Sequence, residues 1–242
     1  MLEAAFWGFV GGFALLIGAV AGLVWRIPRR AIGLVMAFGA GVLVSALAFE
    51  LTAEAYKAGG LDSTSAGLAL GSLTFFAGDR ALDRMGGAGR KRSSGPGPGS
   101  AALGIVLGAV LDGIPESAAI GISLLEGGGV SVAVVVAVFL SNVPESLSAA
   151  TGLRATMSSR RILALWGGVA IVSALSAAAG HQLLDGASQE WVAGIQAFAA
   201  GAILTMLADT MFPEAFEAEG RSPFTGVVTT LGFALAALLS TL

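Results

Sequence analysis

The chain has no cysteine, a single histidine (His181) and few charges of either sign. Without cysteine there is no disulfide, no thiolate metal site and no cysteine nucleophile. Charged residues make up 12% of the 242 residues, against about 25% in ordinary soluble domains. Hydrophobic residues make up 55%, and the mean hydropathy is +0.85. Too little polar surface remains to face water, so lipid is the expected solvent. The net charge of −3 is too small to imply a nucleic-acid partner. No Walker-type glycine loop is present, which argues against ATP drive.

What is there is a series of apolar runs. A spanning helix needs about 20 mostly apolar residues. Runs of that kind predict helices over 4–25, 31–53, 65–79, 101–124, 129–152, 162–184, 191–211 and 223–242. The expected fold is an all-α integral membrane protein, with eight transmembrane helices in a single domain, 1–242. Glu3 in place of a basic start, together with a long apolar run, predicts a retained first helix rather than a cleaved signal.

Basic residues set the expected orientation. Twelve of the 13 Lys and Arg fall in the loops after helices 1, 3, 5 and 7; Lys57 alone lies on the other side. That excess marks the cytoplasmic face. An even number of helices then puts both termini outside, in a cell (inner) membrane. The stretch 80–100 contains a Gly-, Pro- and Ser-rich run (86–100) and predicts a flexible cytoplasmic loop. Trp7, Trp25, Trp166 and Trp191 fall near helix ends, where indole prefers the interface. His181 reads as an interfacial residue. Gly104, Gly108, Gly121, Gly167 and Gly168 are expected to permit close helix packing.

Two internal repeats stand out. Residues 37–56 align without gaps to 197–216, an offset of 160, and the match includes Glu54 with Glu214. In the expected topology these copies run in opposite directions, as in the inverted repeats of secondary transporters. Helices 1–3 would then mirror helices 6–8. The second repeat pairs Leu111-Asp112-Gly113-Ile114-Pro115-Glu116-Ser117 with Leu140-Ser141-Asn142-Val143-Pro144-Glu145-Ser146, an offset of 29. Helices 4 and 5 thus share a Pro-Glu-Ser core.

Each of those glutamates lies about 15 residues into its helix, near the midplane at about 1.5 Å rise per residue. A charge there costs at least ~2.5–3.5 kcal/mol. No Lys or Arg lies within helix 4 or 5 to offset it. Either the glutamates are protonated or they bind cations. The prolines favour cations, because each frees backbone carbonyl oxygens that need a partner in lipid. Asp112 and Glu116, and Ser141 and Glu145, are four residues apart and share a helix face. Asp112, Glu116, Asn142, Glu145 and Ser141 form the candidate metal set, an oxygen set suited to hard or borderline dications. Glu50 and Glu54 near the outer end of helix 2, and Asp209 and Glu214 near the inner end of helix 7, are expected to draw cations to opposite mouths of one path. Glu217 and Glu219 follow them.

These residues resemble the ZIP family of zinc and iron transporters. Bacterial members often carry His-Asn-x-Pro-Glu-Gly in helices 4 and 5; here the runs are Asp112-Gly-Ile-Pro-Glu116-Ser and Ser141-Asn142-Val-Pro-Glu145-Ser. Phe49-Glu50-Leu-Thr-Ala-Glu54-Ala and Asp209-Thr-Met-Phe-Pro-Glu214-Ala also look like family patterns. The resemblance implies eight helices, both termini outside, a metal site between helices 4 and 5, and alternating access. In that cycle helices 1, 4, 5 and 6 would move against helices 2, 3, 7 and 8. Both motif histidines are missing, replaced by Asp112 and Ser141, and Gly113 stands for one motif asparagine. Losing imidazole widens the expected selectivity to Mn²⁺, Fe²⁺ or Cd²⁺ beside Zn²⁺.

The sequence therefore predicts a non-enzymatic importer of divalent metal ions. The ion is its substrate, with no cofactor, and its partners are the metal and the bilayer; a homodimer stays open. One rival is an intramembrane enzyme acting on a lipid phosphate, which should place arginines at the buried site. Another is an inactive or metal-sensing homologue.

Overall fold

A computed structural model gives the fold and describes residues 1–87, 102–126, 129–217 and 222–240. The described residues form helices, with no strand among them. Among the described residues, five helical stretches are long and apolar enough to cross a membrane: Leu2–Val24, Arg29–Met85, Val132–Leu153, Ser159–Leu184 and Gln189–Phe216.

Helix α1 (Leu2–Val24) shows what lipid does to packing. Phe6, Phe9, Phe13, Ile17, Val20 and Val24 are exposed. They recur every three or four residues and so form one stripe. The buried face is small: Gly8, Gly11, Gly12, Gly18 and Gly22. Water would drive the large side chains inward. Lipid solvates them, and helices associate instead through close backbone approach at small residues.

Helix α2 (Arg29–Ala46) continues through a π-helical turn, Leu47–Thr52, into α3 (Ala53–Leu82) and a second such turn, Asp83–Gly87. A straight rod of that length would run about 85 Å, nearly three times a hydrocarbon core of about 30 Å. Gly60 breaks it, with φ 72° and ψ −175°, a conformation costly for any residue with a Cβ. The chain reverses there. Ser63 Oγ donates to Glu190 O at 3.3 Å, and Gly67 and Gly71 lie against Gly194 and Phe198, so α3 follows α7 (Gln189–Met206) in the same direction. Before the break the order is opposite. Ala55 meets Ala193 and Ala197, while α2 reaches α8 (Phe212–Glu217) beyond the end of α7.

Several boundaries differ from the sequence expectation. The run Ala58-Gly-Gly-Leu-Asp-Ser-Thr reads as a loop, yet only Gly60 leaves helical geometry. The Thr64 hydroxyl donates to the Gly60 carbonyl at 2.8 Å, so the turn satisfies itself without a loop. Residues 80–87 are helical rather than part of a loop; 88–100, with Arg90, Lys91 and Arg92, lie outside the described residues. So do Arg221 and Glu219. Helix α7 does not stop at 211 but passes through a π-helical turn, Leu207–Met211, into α8. Pro213, which would interrupt a regular helix, follows that widened turn. The remaining elements are α4 (Ala102–Ser123) with a 3-10 turn, Leu124–Glu126, then α5 (Val132–Leu153), α6 (Ser159–Leu184) and α9 (Thr225–Leu239).

The helices pack as matched pairs. Helix α1 packs on α5 as α6 packs on α4, and α3 packs on α7 as α9 packs on α2. The match extends to residues. Gly41 of α2 lies against the Thr229 carbonyl, and Gly201 of α7, 160 residues on, against the Leu68 carbonyl. Gly232 lies against the Phe38 carbonyl and Gly71 against the Phe198 carbonyl; the two phenylalanines are again 160 apart, the two glycines 161. The π-helical turns at Leu47 and Leu207 obey the same offset.

Two expectations about single residues change. Gly121 does pack against the Ala177 carbonyl, but Gly167 and Gly168 face open space, because α6 turns them away from its neighbours. Trp166 is 2% exposed rather than interfacial. Its ring fills the space that small residues leave beside Leu15, Ala149, Leu153 and Ile162. Trp25 and Trp191 are exposed.

Candidate functional site

Helices α4 and α5 carry the candidate ligands, and their neighbours fix the relative depth. Along α1 and α5 contacts advance together: Gly11 with Val138, Gly18 with Val143, Gly22 with Leu147. Along α4 and α6 they also advance together, from Gly113 with Val169 to Gly121 with Ala177. Between α1 and α6 they run in reverse, Gly8 with Ala177 and Gly12 with Ala170. Helices α4 and α5 are therefore antiparallel. Asn142 Nδ2 donates to Gly11 O at 3.0 Å. Ser173 lies beside both Gly12 and Gly113. The two Pro-Glu-Ser runs thus share one level, halfway along α1.

All five candidates are buried. Asp112 and Glu116 are 1% exposed, Ser141 0%, Asn142 4% and Glu145 3%. Among the described residues the buried core contains no Lys, Arg or His; its ionisable side chains are these three carboxylates. The donor end of the Asn142 amide is committed to α1, so the acceptor end, Oδ1, is what it offers a cation. Ser141 Oγ donates one turn back to Val138 O at 3.0 Å, keeping its lone pairs. Pro115 and Pro144 sit within unbroken helices. Each deprives the carbonyl four residues earlier, Leu111 or Leu140, of its helical partner. Gly39 of α2 packs on the Pro144 ring and on Leu140 O.

Among the described residues no three His, Asp or Glu side chains stand close enough to hold a metal ion. The reason is the packing: α4 leans on α6 and α5 on α1, and α4 and α5 touch at few points.

The flanking carboxylates sit on either side of this level. Glu50, in the π-helical turn after α2, accepts from Ser131 Oγ at 2.8 Å. Ser131 is the N-cap of α5 and accepts the Val134 N–H at 3.2 Å. Glu214, in α8, accepts from Ser148 Oγ at 2.8 Å, one turn past Glu145. Glu50 and Glu214 therefore meet α5 at positions that bracket Ser141, Asn142 and Glu145. Glu54 lines a cavity of about 390 Å³ with Asp185, Gln189 and Gln196, and pairs with Lys57 at 2.6 Å. Asp209 is exposed in the π-helical turn after α7. The Glu217 side chain lies outside the described residues.

Between that cavity and the carboxylates lies an apolar layer of Leu47, Leu51, Ala119, Val134, Val138 and Ile203. It leaves about 10 Å³ of space, at the lower limit of what one water needs.

Sequence reasoning missed Ser131, Ser148 and Gln196. The two serines are defined by partners 81 and 66 residues away, and no local spacing marks them. Gln196 had a signal, an amide inside the apolar run 191–206. Its Nε2 donates to Glu50 O at 3.1 Å. Gln196→Leu takes that partner from a carbonyl in a turn of irregular helix. We expect a loss of about 1–3 kcal/mol, read as a lower Tm in detergent; an unchanged Tm would show the bond to be dispensable.

No protein-family model matches the chain, and no curated protein matches it in sequence.

Proposed function

We propose that the chain is a transporter of divalent metal ions, akin to the ZIP family, with eight spanning helices arranged as inverted repeats. The ion is taken into the cytoplasm by alternating access past the carboxylates of α4 and α5. One observation carries this reading. Asp112, Glu116 and Glu145 are buried at one level on antiparallel helices, together with the buried Asn142 amide and Ser141 hydroxyl. Each charge costs at least ~2.5–3.5 kcal/mol in a bilayer centre, and a dication offsets it. The carboxylates are spread rather than clustered, so waters complete the shell around an ion held by Glu116 and Glu145, with Asp112, Asn142 and Ser141 beside it.

The packing supports the cycle. In that cycle α1, α4, α5 and α6 are one set, joined where α1 packs on α5 and α6 and α4 on α6; α2, α3, α7 and α9 are the other, joined where α3 packs on α7 and α2 on α9, and α2 also packs on α5 across the seam. Within each set, glycines bring backbones into contact, which suits rigid bodies moving against each other. The residue-by-residue match at an offset of 160 supports inverted repeats, as does the opposite direction of α2 and α7. Glu50 and Glu54 lie at the outer mouth, and Asp209 and Glu214 toward the inner one.

Metal flux into proteoliposomes tests the reading: saturable Mn²⁺ or Zn²⁺ uptake is expected, and its absence would overturn it. An oxygen-only ligand set also predicts weak discrimination. Mn²⁺ should compete with Zn²⁺ to within about ten-fold. A strict preference for Zn²⁺ in competition uptake would count against that set.

A further inference from the structure

One run of hydrogen bonds crosses the outer seam between the two packed sets. Ser123 Oγ in α4 donates to Ile120 O at 2.8 Å and accepts from Ser131 N at 3.1 Å. Ser131 Oγ caps α5 through Val134 N and donates to Glu50 Oε2. The Glu50 carbonyl accepts from Gln196 of α7. Helices α4 and α5 of one set are thereby tied to α2 and α7 of the other. The tie lies directly over the apolar layer that contains Ala119, Val134 and Val138.

We propose that Ser131 is a latch: its hydrogen bond to Glu50 holds the outer seam shut, and a divalent cation arriving at Glu50 releases it. The chemistry is competitive. A hydroxyl has one proton to donate, and Ser131 gives it to Glu50 Oε2. A dication bound at that oxygen displaces the proton, because both seek the same electron density. Losing the bond removes the polar hold of Ser131 on the π-helical turn. Glu50 is thus both the carboxylate that meets the ion and the acceptor that keeps the seam closed. The π-helical turn is what aims it: the widened turn presents the Glu50 side chain to α5 and its carbonyl to α7. Ser131 is a positioning residue; it need not touch the ion.

The inference rests on the transport reading only through the ion's arrival, so the test has a metal-free arm. The natural absence of cysteine allows a single reporter, Ala119→Cys, in the apolar layer, where Ala119 is 1% exposed. Modification by a membrane-impermeant maleimide from the outer side is timed in proteoliposomes. Ser131→Gly keeps most of the N-cap preference but has no hydroxyl to donate to Glu50, and it adds no charge. Ser131→Thr retains both roles. Without metal, Ser131→Gly should raise the reporter's rate about ten- to 100-fold, the worth of a charge-assisted hydrogen bond, and Ser131→Thr should leave it unchanged. Equal rates for Ser131 and Ser131→Gly overturn the latch and leave transport standing. Mn²⁺, which binds thiols weakly, should raise the rate when Glu50 is present and not in Glu50→Gln. A Mn²⁺ response that survives Glu50→Gln overturns release through Glu50. A Ser131→Gly response with no Mn²⁺ response at all overturns the coupling and counts against metal transport itself.

Discussion

Replacing Glu145 with alanine should remove divalent-metal flux by at least ~100-fold, since even indirect supports of a metal ligand are worth 10- to 100-fold, while the helical protein stays folded. Glu145 is 3% exposed in the middle of α5, a depth at which carrying a charge is costly. A residue kept for structure loses stability when it is removed. A residue kept for an ion should lose function and leave stability unchanged or raised. Glu145→Gln sharpens the contrast, because it removes the charge without leaving a cavity. The checks are Mn²⁺ flux in proteoliposomes and Tm in detergent, measured on the same preparations. Normal flux in either variant contradicts the role, and a collapsed Tm in Glu145→Gln points to a structural carboxyl instead. The same flux assay separates transport from the lipid-phosphate enzyme, whose expected buried arginine is not among the described core residues.

The second large effect concerns packing. Gly201→Ala in α7 would drive a methyl into the Leu68 backbone, and Gly41→Ala in α2 would do the same against Thr229. A flexible side chain could yield; a carbonyl in a neighbouring helix cannot without separating the helices. Each substitution should cost about 3 kcal/mol, the upper part of the range for overpacking, and lower Tm and yield alike. The two sites are 160 residues apart and make equivalent contacts, so their losses should be similar. Gly168→Ala, which meets open space, should be neutral. Unequal losses at Gly41 and Gly201 would argue against structural repeats.

These two experiments probe different links of one argument. Small residues let helices approach in lipid, and close approach makes two sets of helices that hold their shape. In the proposed cycle, motion is confined to the seam between these sets. That seam contains Gly39 on Pro144, Ser131 on Glu50 and Ser148 on Glu214. Function is therefore expected to be most sensitive on α5, which meets the opposite set at all three places.

Much of this was legible in the chain itself. Long apolar runs dictate helices because lipid offers the backbone no other hydrogen-bond partner. Carboxylates within apolar runs were visible because charge and hydropathy are properties of residues, and Asp112, Glu116 and Glu145 are buried as their context demanded. The repeat at 37–56 and 197–216 was visible because equivalent packing demands equivalent small residues.

Tertiary structure decided the rest. It placed the reversal at Gly60, where a single positive φ replaces the loop that the local composition suggests. It put Trp166 inside and Gly167 and Gly168 outside, since the face a helix buries depends on its neighbours. It widened α2 and α7 at Leu47 and Leu207, and it joined Ser131 to Glu50 and Ser148 to Glu214. It also kept α4 and α5 leaning on different partners, so the carboxylates share a level without closing into a cluster. Charge and hydropathy are written residue by residue, and the sequence determines them. Which side chains meet across 66 or 81 residues is set by how rigid helices pack, and only the folded bundle decides that.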